Sequence, residues 1–155
     1  MIKQDFKILY HKYVAQIRNY IYYRSGDVDL ADDITQEVFI KIYQNNKWRN
    51  DDVKSLLYKM AGDLFIDYVR KKNLEREYQK NIKFEFTEQN NDEYKNEILQ
   101  KCEKALSVLS DNERLVFLMN KKDGITYKDI AESLDISVKA VEKRMSSALN
   151  KLNQS

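Results

Sequence analysis

Lys139, Lys143 and Arg144, with Ser146, Ser147 and Asn150, fall on one side of a stretch whose other side holds Val138, Val141, Met145, Leu149 and Leu152. Ammonium, guanidinium, hydroxyl and amide groups in that array suit phosphates and base edges, provided a helix presents them together. The residues before them supply the rest of a motif. Gly124-Ile-Thr-Tyr-Lys-Asp-Ile-Ala-Glu-Ser-Leu134 places Tyr127, Ile130, Ala131 and Leu134 at i, i+3, i+4 and i+7, with Thr126 positioned as a cap. Asp135-Ile136-Ser137 then forms a turn, with Ser137 positioned to cap the second helix. A stabilising helix, a tight turn and a basic helix are the parts of a unit that enters a DNA major groove. An ordinary helical hairpin with a solvated face has the same spacing.

Other groups invite separate readings. Asp33, Gln36, Glu37 and Ile40 repeat at helical spacing on a face distinct from the apolar stripe Leu30, Ile34, Val38 and Ile42. An isoleucine among carboxylates and an amide suggests a partner surface, although a solvated face with one stray apolar residue has the same pattern. The lone tryptophan, Trp48, sits beside Arg49 and Asn50, a trio able to stack on and hydrogen-bond an unpaired base. It could equally pack on the helices beneath. Lys59, Asp63, Asp67, Arg70 and Lys71 point outward from a further helix, as a nucleic-acid face or simply a soluble one. His11 is the single histidine and Cys102 the single cysteine, so no zinc site, disulfide or Cys/His nucleophile can be assembled within the chain. No catalytic residue and no cofactor is expected, and Cys102 is expected to be a small buried side chain.

These groups need helices to hold them, and composition supplies little else. The 155 residues contain no proline and three glycines, with 43% hydrophobic and 34% charged residues. So few breakers and so modest a core predict an all-α protein of small bundles. The formal net charge is only +2, low for a protein that grips duplex DNA unaided. No apolar run is long enough to cross a bilayer and no leader-like segment opens the chain, so a cytoplasmic protein without membrane contact is expected.

The first helix is marked by Phe6, Leu9, Tyr10, Tyr13, Val14, Ile17, Tyr20 and Ile21 and stops at Ser25-Gly26-Asp27. A second runs from about Asp29 to Gln44, and a polar loop covers Asn45 to Asp52. A third carries Leu57, Met60, Ala61, Leu64, Phe65 and Tyr68 and ends in Arg70-Lys71-Lys72. Gly62 within it costs about 0.5–1 kcal/mol relative to alanine, which implies close approach of another backbone or a strand. Periodicity then fades into an acidic stretch holding Glu85, Glu88, Asp92, Glu93 and Glu97, read as a flexible linker. Ile98, Leu99, Cys102, Leu106 and Leu109 mark a fourth helix. Ser110-Asp-Asn-Glu113 is a capping-box signature opening a fifth, which buries Leu115, Val116, Leu118 and Met119. The organisation is two small helical domains, 1–72 and 97–155, joined by a linker over 73–96.

Two stretches together resemble a known family. Asp29-Leu-Ala-Asp-Asp-Ile-Thr-Gln-Glu-Val-Phe-Ile-Lys-Ile-Tyr43 and Leu57-Tyr-Lys-Met-Ala-Gly-Asp-Leu-Phe-Ile-Asp-Tyr-Val-Arg-Lys71 resemble region two of bacterial RNA polymerase sigma factors. Leu106-Ser-Val-Leu-Ser-Asp-Asn-Glu-Arg-Leu-Val-Phe117 with the helix-turn-helix after it resembles region four. Their order and spacing, with no domain between, match the extracytoplasmic-function subgroup. The resemblance implies promoter recognition and transcription initiation by a subunit that binds core RNA polymerase and promoter DNA, with an anti-sigma protein expected for the subgroup. It places Asp33, Gln36, Glu37 and Phe39, and with them Ile40, on the polymerase clamp. It places Trp48, Arg49 and Asn50 at a flipped base of the minus-ten element, and Asp63, Asp67, Arg70 and Lys71 along the melted strand. Ser137, Lys139, Ala140, Lys143 and Arg144 fall where the family reads the minus-thirty-five element.

The chain departs from the family pattern at several positions. Gly62-Asp63 stand where a basic residue and an asparagine are usual, Ala140 where threonine is common, Glu142 where a basic residue often stands, and Asp135 at the usual turn glycine. The low net charge fits a subunit whose polymerase partner supplies much of the phosphate affinity. A stand-alone helix-turn-helix regulator binding duplex DNA as a dimer is the alternative from another class. A pure interaction protein occupying the clamp without reading DNA is a third.

Overall fold

The computed structural model describes residues 2–46, 49, 52–75 and 93–154. Its elements are α1 (Ile2–Ser25), α2 (Val28–Gln44), α3 (Val53–Glu75), α4 (Glu93–Ser107), α5 (Asp111–Lys121), α6 (Tyr127–Leu134) and α7 (Val138–Asn153). No strand occurs among the described residues. Helical turns extend beyond both expected edges of the linker, through Glu75 and from Glu93. The remainder of that linker, with Glu85, Glu88 and Asp92, lies outside the described residues.

Helices α1, α2 and α3 pack on one another around Ile17, Tyr20, Ile21, Ile34, Val38, Ile42, Leu57, Ala61 and Phe65, all buried. Gly26, at φ 70°, makes the turn after α1, and the Asp27 carboxylate accepts from the Leu30 N–H at 3.1 Å to start α2. Gly62 is explained by a side chain rather than a backbone. A Cβ there would meet the Tyr20 hydroxyl at 2.9 Å, inside any real contact. That hydroxyl accepts from Arg24 Nη1 at 2.9 Å, and the Arg24 guanidinium lies 4.5 Å from the centroid of the Phe65 ring.

The C-terminal helices are short and held by their ends. Ser110 and Glu113 form the expected capping box, with the Ser110 N–H donating to Glu113 Oε1 at 2.8 Å and the Glu113 N–H to Ser110 Oγ at 3.2 Å. Thr126 caps α6 by accepting from the Asp129 N–H at 3.2 Å. Asp135 takes the left-handed conformation, φ 55°, and its N–H closes the last turn of α6. Helix α7 packs on α5 and α6 through Val141, Met145 and Ala148.

That stripe corrects the expected one. Val138 and Leu149 are exposed, and Ala148 is fully buried in place of Leu149. From Met145 a helix can step three or four residues to the next buried position, and on α7 the step is three, to Ala148. Cys102 is likewise exposed rather than buried.

The two halves also pack on each other. Helix α1 lies against α5, and α3 against α6, with Tyr23, Tyr58 and Arg114 fully buried.

Candidate nucleic-acid interface

Helix α7 presents Lys139, Lys143 and Arg144 along its length. Ser137 Oγ accepts from the Ala140 N–H at 3.0 Å, which orders the first turn and leaves the hydroxyl hydrogen to donate outward. Lys139 and Lys143 are exposed, Ala140 and Arg144 half-buried. Among the described residues none of these three cations is held in an ion pair. Val141 and Met145 anchor the opposite side at 0% and 1% exposure. The face is therefore free, basic and fixed in orientation by the helix beneath it.

What fixes α7 was only partly visible in the sequence. Glu113, the capping-box residue of α5, also accepts from Lys151 Nζ at 2.7 Å and from the Ser147 hydroxyl. Burial by itself would raise the Glu113 pKa, but the Lys151, Ser147 and Ser110 hydrogen bonds outweigh it and bring the carboxyl to about 2. Ser147, expected on the outer face, is thus half-buried and spent on holding α7 to α5.

On α2, Asp33, Gln36, Glu37 and Ile40 are all exposed, Ile40 at 55%. Glu37 pairs with Lys41 at 3.2 Å along the same helix. Phe39 is corrected: it is 3% exposed, its ring edge-on to Tyr10 at 5.0 Å and to Phe6 at 6.4 Å. It belongs to the core because it directly follows Val38 on a stripe wider than the sequence suggested, one that includes Ala31 and Thr35. Tyr43, 38% exposed and three residues from Ile40, extends the outer face instead. Helical spacing from Ile40 was the signal for it.

Asp63, Asp67, Arg70 and Lys71 are exposed on α3 at i, i+4, i+7 and i+8 and share one side. Asp63 lines a groove with Lys59, Ile66 and Arg24, together with Ser133 and Leu134 of α6 and its C-cap Asp135. Arg49 is exposed, whereas Trp48 and Asn50 lie outside the described residues. No cluster of metal-ligating side chains occurs among the described residues.

The family model of sigma-70 region 2 matches residues 9–75, and that of sigma-70 region 4 matches residues 99–152. The first spans α1 to α3 and the second the helix-turn-helix with the helices before it. The chain belongs to the sigma-70 family. Its relatives agree: the ferric citrate uptake sigma factor FecI of Escherichia coli (strain K12) is 26% identical over 93% of this chain and 86% of its own length. The RNA polymerase sigma factor YlaC of Bacillus subtilis (strain 168) is 25% identical over 86% of this chain and 81% of its own. The ECF sigma factor SigM of the same organism is 33% identical over 41% of this chain and 39% of its own length. In fold, this sigma factor is similar to the sigma factor RpoE in its co-crystal structure with the anti-sigma factor NepR from Bartonella quintana. That match has a TM-score of 0.70 at 21% identity and covers 97% of this chain and 96% of the other. As an extracytoplasmic-function type sigma factor, it directs promoter-specific transcription with core RNA polymerase and promoter DNA as partners. Among the described residues no helix is long and apolar enough to cross a membrane.

Proposed function

We propose that this sigma factor docks on core RNA polymerase through the outer face of α2, with Asp33, Gln36, Glu37 and Ile40 in contact and Tyr43 extending the patch. Phe39 supports that face from beneath. The observation that carries the reading is Ile40, 55% exposed on a helix whose own buried stripe is already complete with six residues. An apolar side chain ringed by carboxylates and an amide is surplus to the fold and suits a partner that buries it. A stand-alone regulator has no use for such a face.

Promoter contacts are assigned to the other two faces. Lys139, Lys143 and Arg144 reach base edges or phosphates of the minus-thirty-five element, and Ser137 and Ala140 bring the α7 N-terminus to the backbone. Trp48, Arg49 and Asn50 capture an unpaired base of the minus-ten element, with Asp67, Arg70 and Lys71 along the strand and Asp63 at its edge. The chain contributes binding and strand capture, without covalent chemistry of its own, in the cytoplasm. A protein inhibitor of the anti-sigma kind is a fitting partner, since the structural neighbour RpoE was captured with one.

The test is a core-polymerase binding assay on Asp33→Arg and on the pair Gln36→Ala with Ile40→Asp, beside run-off transcription. Both variants are expected to keep wild-type helicity and lose at least tenfold in core affinity, as loss of interfacial charge contacts costs about 2 kcal/mol or more. Unchanged core affinity removes the docking assignment. Alanine variants of Lys139, Lys143 and Arg144 assayed on a promoter library separate base readers, which relax selectivity at one or two positions, from phosphate contacts, which weaken all promoters alike.

A further inference from the structure

The exposed side of α7 is not uniformly basic. Glu142 stands three residues after Lys139 and four before Ser146, and Lys143 follows it directly. At about 100° per residue these four side chains fall within about 100° of helix surface. All four are exposed. Val141, the immediate neighbour, is fully buried, so the helix backbone that carries the carboxylate is fixed in place. Val138 and Leu149, one turn before Glu142 and two turns after it, are 41% and 39% exposed. Among the described residues, then, this flank of α7 is left uncovered.

The fold has no use for this carboxylate. Among the described residues Glu142 is held in no ion pair, although Lys139 stands at helical spacing from it. An acid that served the helix dipole would stand in the first turn, where α7 has none, and Glu142 lies in the second. Facing phosphates, it opposes what Lys139 and Lys143 gain. What a carboxylate can gain in a major groove is a donor on a base edge. Cytosine offers its N4 amino group there, while adenine sets its N6 amino group beside the N7 acceptor, which repels a carboxylate. The guanine opposite that cytosine presents O6 and N7, which suit a lysine. An unpaired carboxylate with lysines beside it therefore matches a C·G pair.

We propose that Glu142 accepts from the N4 amino group of a cytosine in the minus-thirty-five element and sets the preference for that base, with Lys139 or Lys143 on the guanine of the same pair. The inference rests on the reading of α7 as the helix that enters the major groove. The carboxylate serves selectivity twice. At cytosine it gains a hydrogen bond, and at thymine it meets the O4 acceptor and is left desolvated without a partner. Glu142 thus lowers affinity for wrong sites more than for the right one.

Run-off transcription decides the matter, using the full chain with core polymerase on promoters randomised across the minus-thirty-five element. Wild type should favour cytosine at one position, on either strand, by about tenfold over the other bases. Glu142→Ala should erase that preference, keep the others, and raise activity on promoters that lack the cytosine. Glu142→Gln, whose amide matches adenine N6 and N7, should move the preference at the same position from cytosine to adenine. Both substitutions fall on an exposed, unpaired side chain, and unchanged helicity confirms that the fold is kept. If Glu142→Ala raises activity on all promoters alike with selectivity intact, the carboxylate acts by charge alone and the proposal is overturned. A wild-type preference at that position for any base but cytosine overturns it too. If alanine at Lys139, Lys143 and Arg144 also leaves selectivity unchanged, the assignment of α7 as the reader fails with it. If those variants relax selectivity and Glu142→Ala does not, only the role of Glu142 falls.

Discussion

The two halves of the molecule reach stability by different routes. The N-terminal helices α1, α2 and α3 run 24, 17 and 23 residues, whereas α5, α6 and α7 run 11, 8 and 16. Long helices bring many side chains to one seam, and the first half buries ten or more large apolar groups between three elements. Helices of two or three turns are unstable alone and depend on their ends. Ser110 and Thr126 cap α5 and α6, Asp135 closes α6 at its other end, and Ser137 caps the longer α7. The C-terminal half is thus built from local hydrogen bonds that set angles between short rods, and the N-terminal half from a thick apolar seam.

The contrast is open to breaking. The largest effect is expected from Leu57→Ala, which empties a fully buried position between α1, α2 and α3. Such truncations cost about 2–5 kcal/mol, and chemical denaturation should show it exceeding any single cap removal. A cap variant that destabilises as much would erase the distinction. Next comes Glu113→Gln, which weakens α5's capping box and its tie to α7 together. With the carboxyl held at about 2 against 4.5 for the ordinary group, its charge contributes up to about 3 kcal/mol at neutral pH. That stability is complete above about pH 4.5 and is lost as pH falls toward 2, so the wild-type melting temperature should drop across that window more steeply than the variant's.

Smaller changes sharpen the same comparison. Thr126→Ala and Ser137→Ala should each cost about 1 kcal/mol, measured by thermal unfolding. They cap separate helices, so in the double variant the costs should add. The smallest effect belongs to Asp135→Gly. Asp135 sits at φ 55°, where glycine carries no Cβ penalty, and the substitution should raise stability by less than about 1 kcal/mol. A loss on that substitution would show that the aspartate holds the turn by something other than backbone geometry.

The same asymmetry explains what the sequence disclosed. Caps are local signals, so Ser110-Asp-Asn-Glu113, Thr126 and Ser137 could be read directly and each is found in place. The end of α1 at Ser25 and the loop after Gln44 were equally legible, because a glycine and a run of polar residues announce them. Burial choices between adjacent helical positions were not. Phe39 beside Val38, Tyr58 beside Leu57 and Ala148 beside Leu149 differ by one step of rotation, which only the neighbouring helix decides. The exposed residues Asp33, Gln36, Glu37 and Ile40 were legible as a second face because they repeat at their own period. Arg114 was not, since its main acceptors are main-chain carbonyls, which carry no mark in the sequence.

Gly62 has a consequence for how this lineage can change. The Tyr20 hydroxyl occupies the space a Cβ would need, and that hydroxyl in turn receives Arg24. A side chain at position 62 would meet that oxygen first, so Tyr20 has to give way to admit one. Positions 20, 24 and 62 therefore form one unit of exchange. A larger residue at 62 fits once the Tyr20 hydroxyl is moved or lost, and Tyr20→Phe alone releases Arg24 without making use of the vacated room. A change at 20 that clears this space therefore makes a change at 62 easier, which couples the two positions.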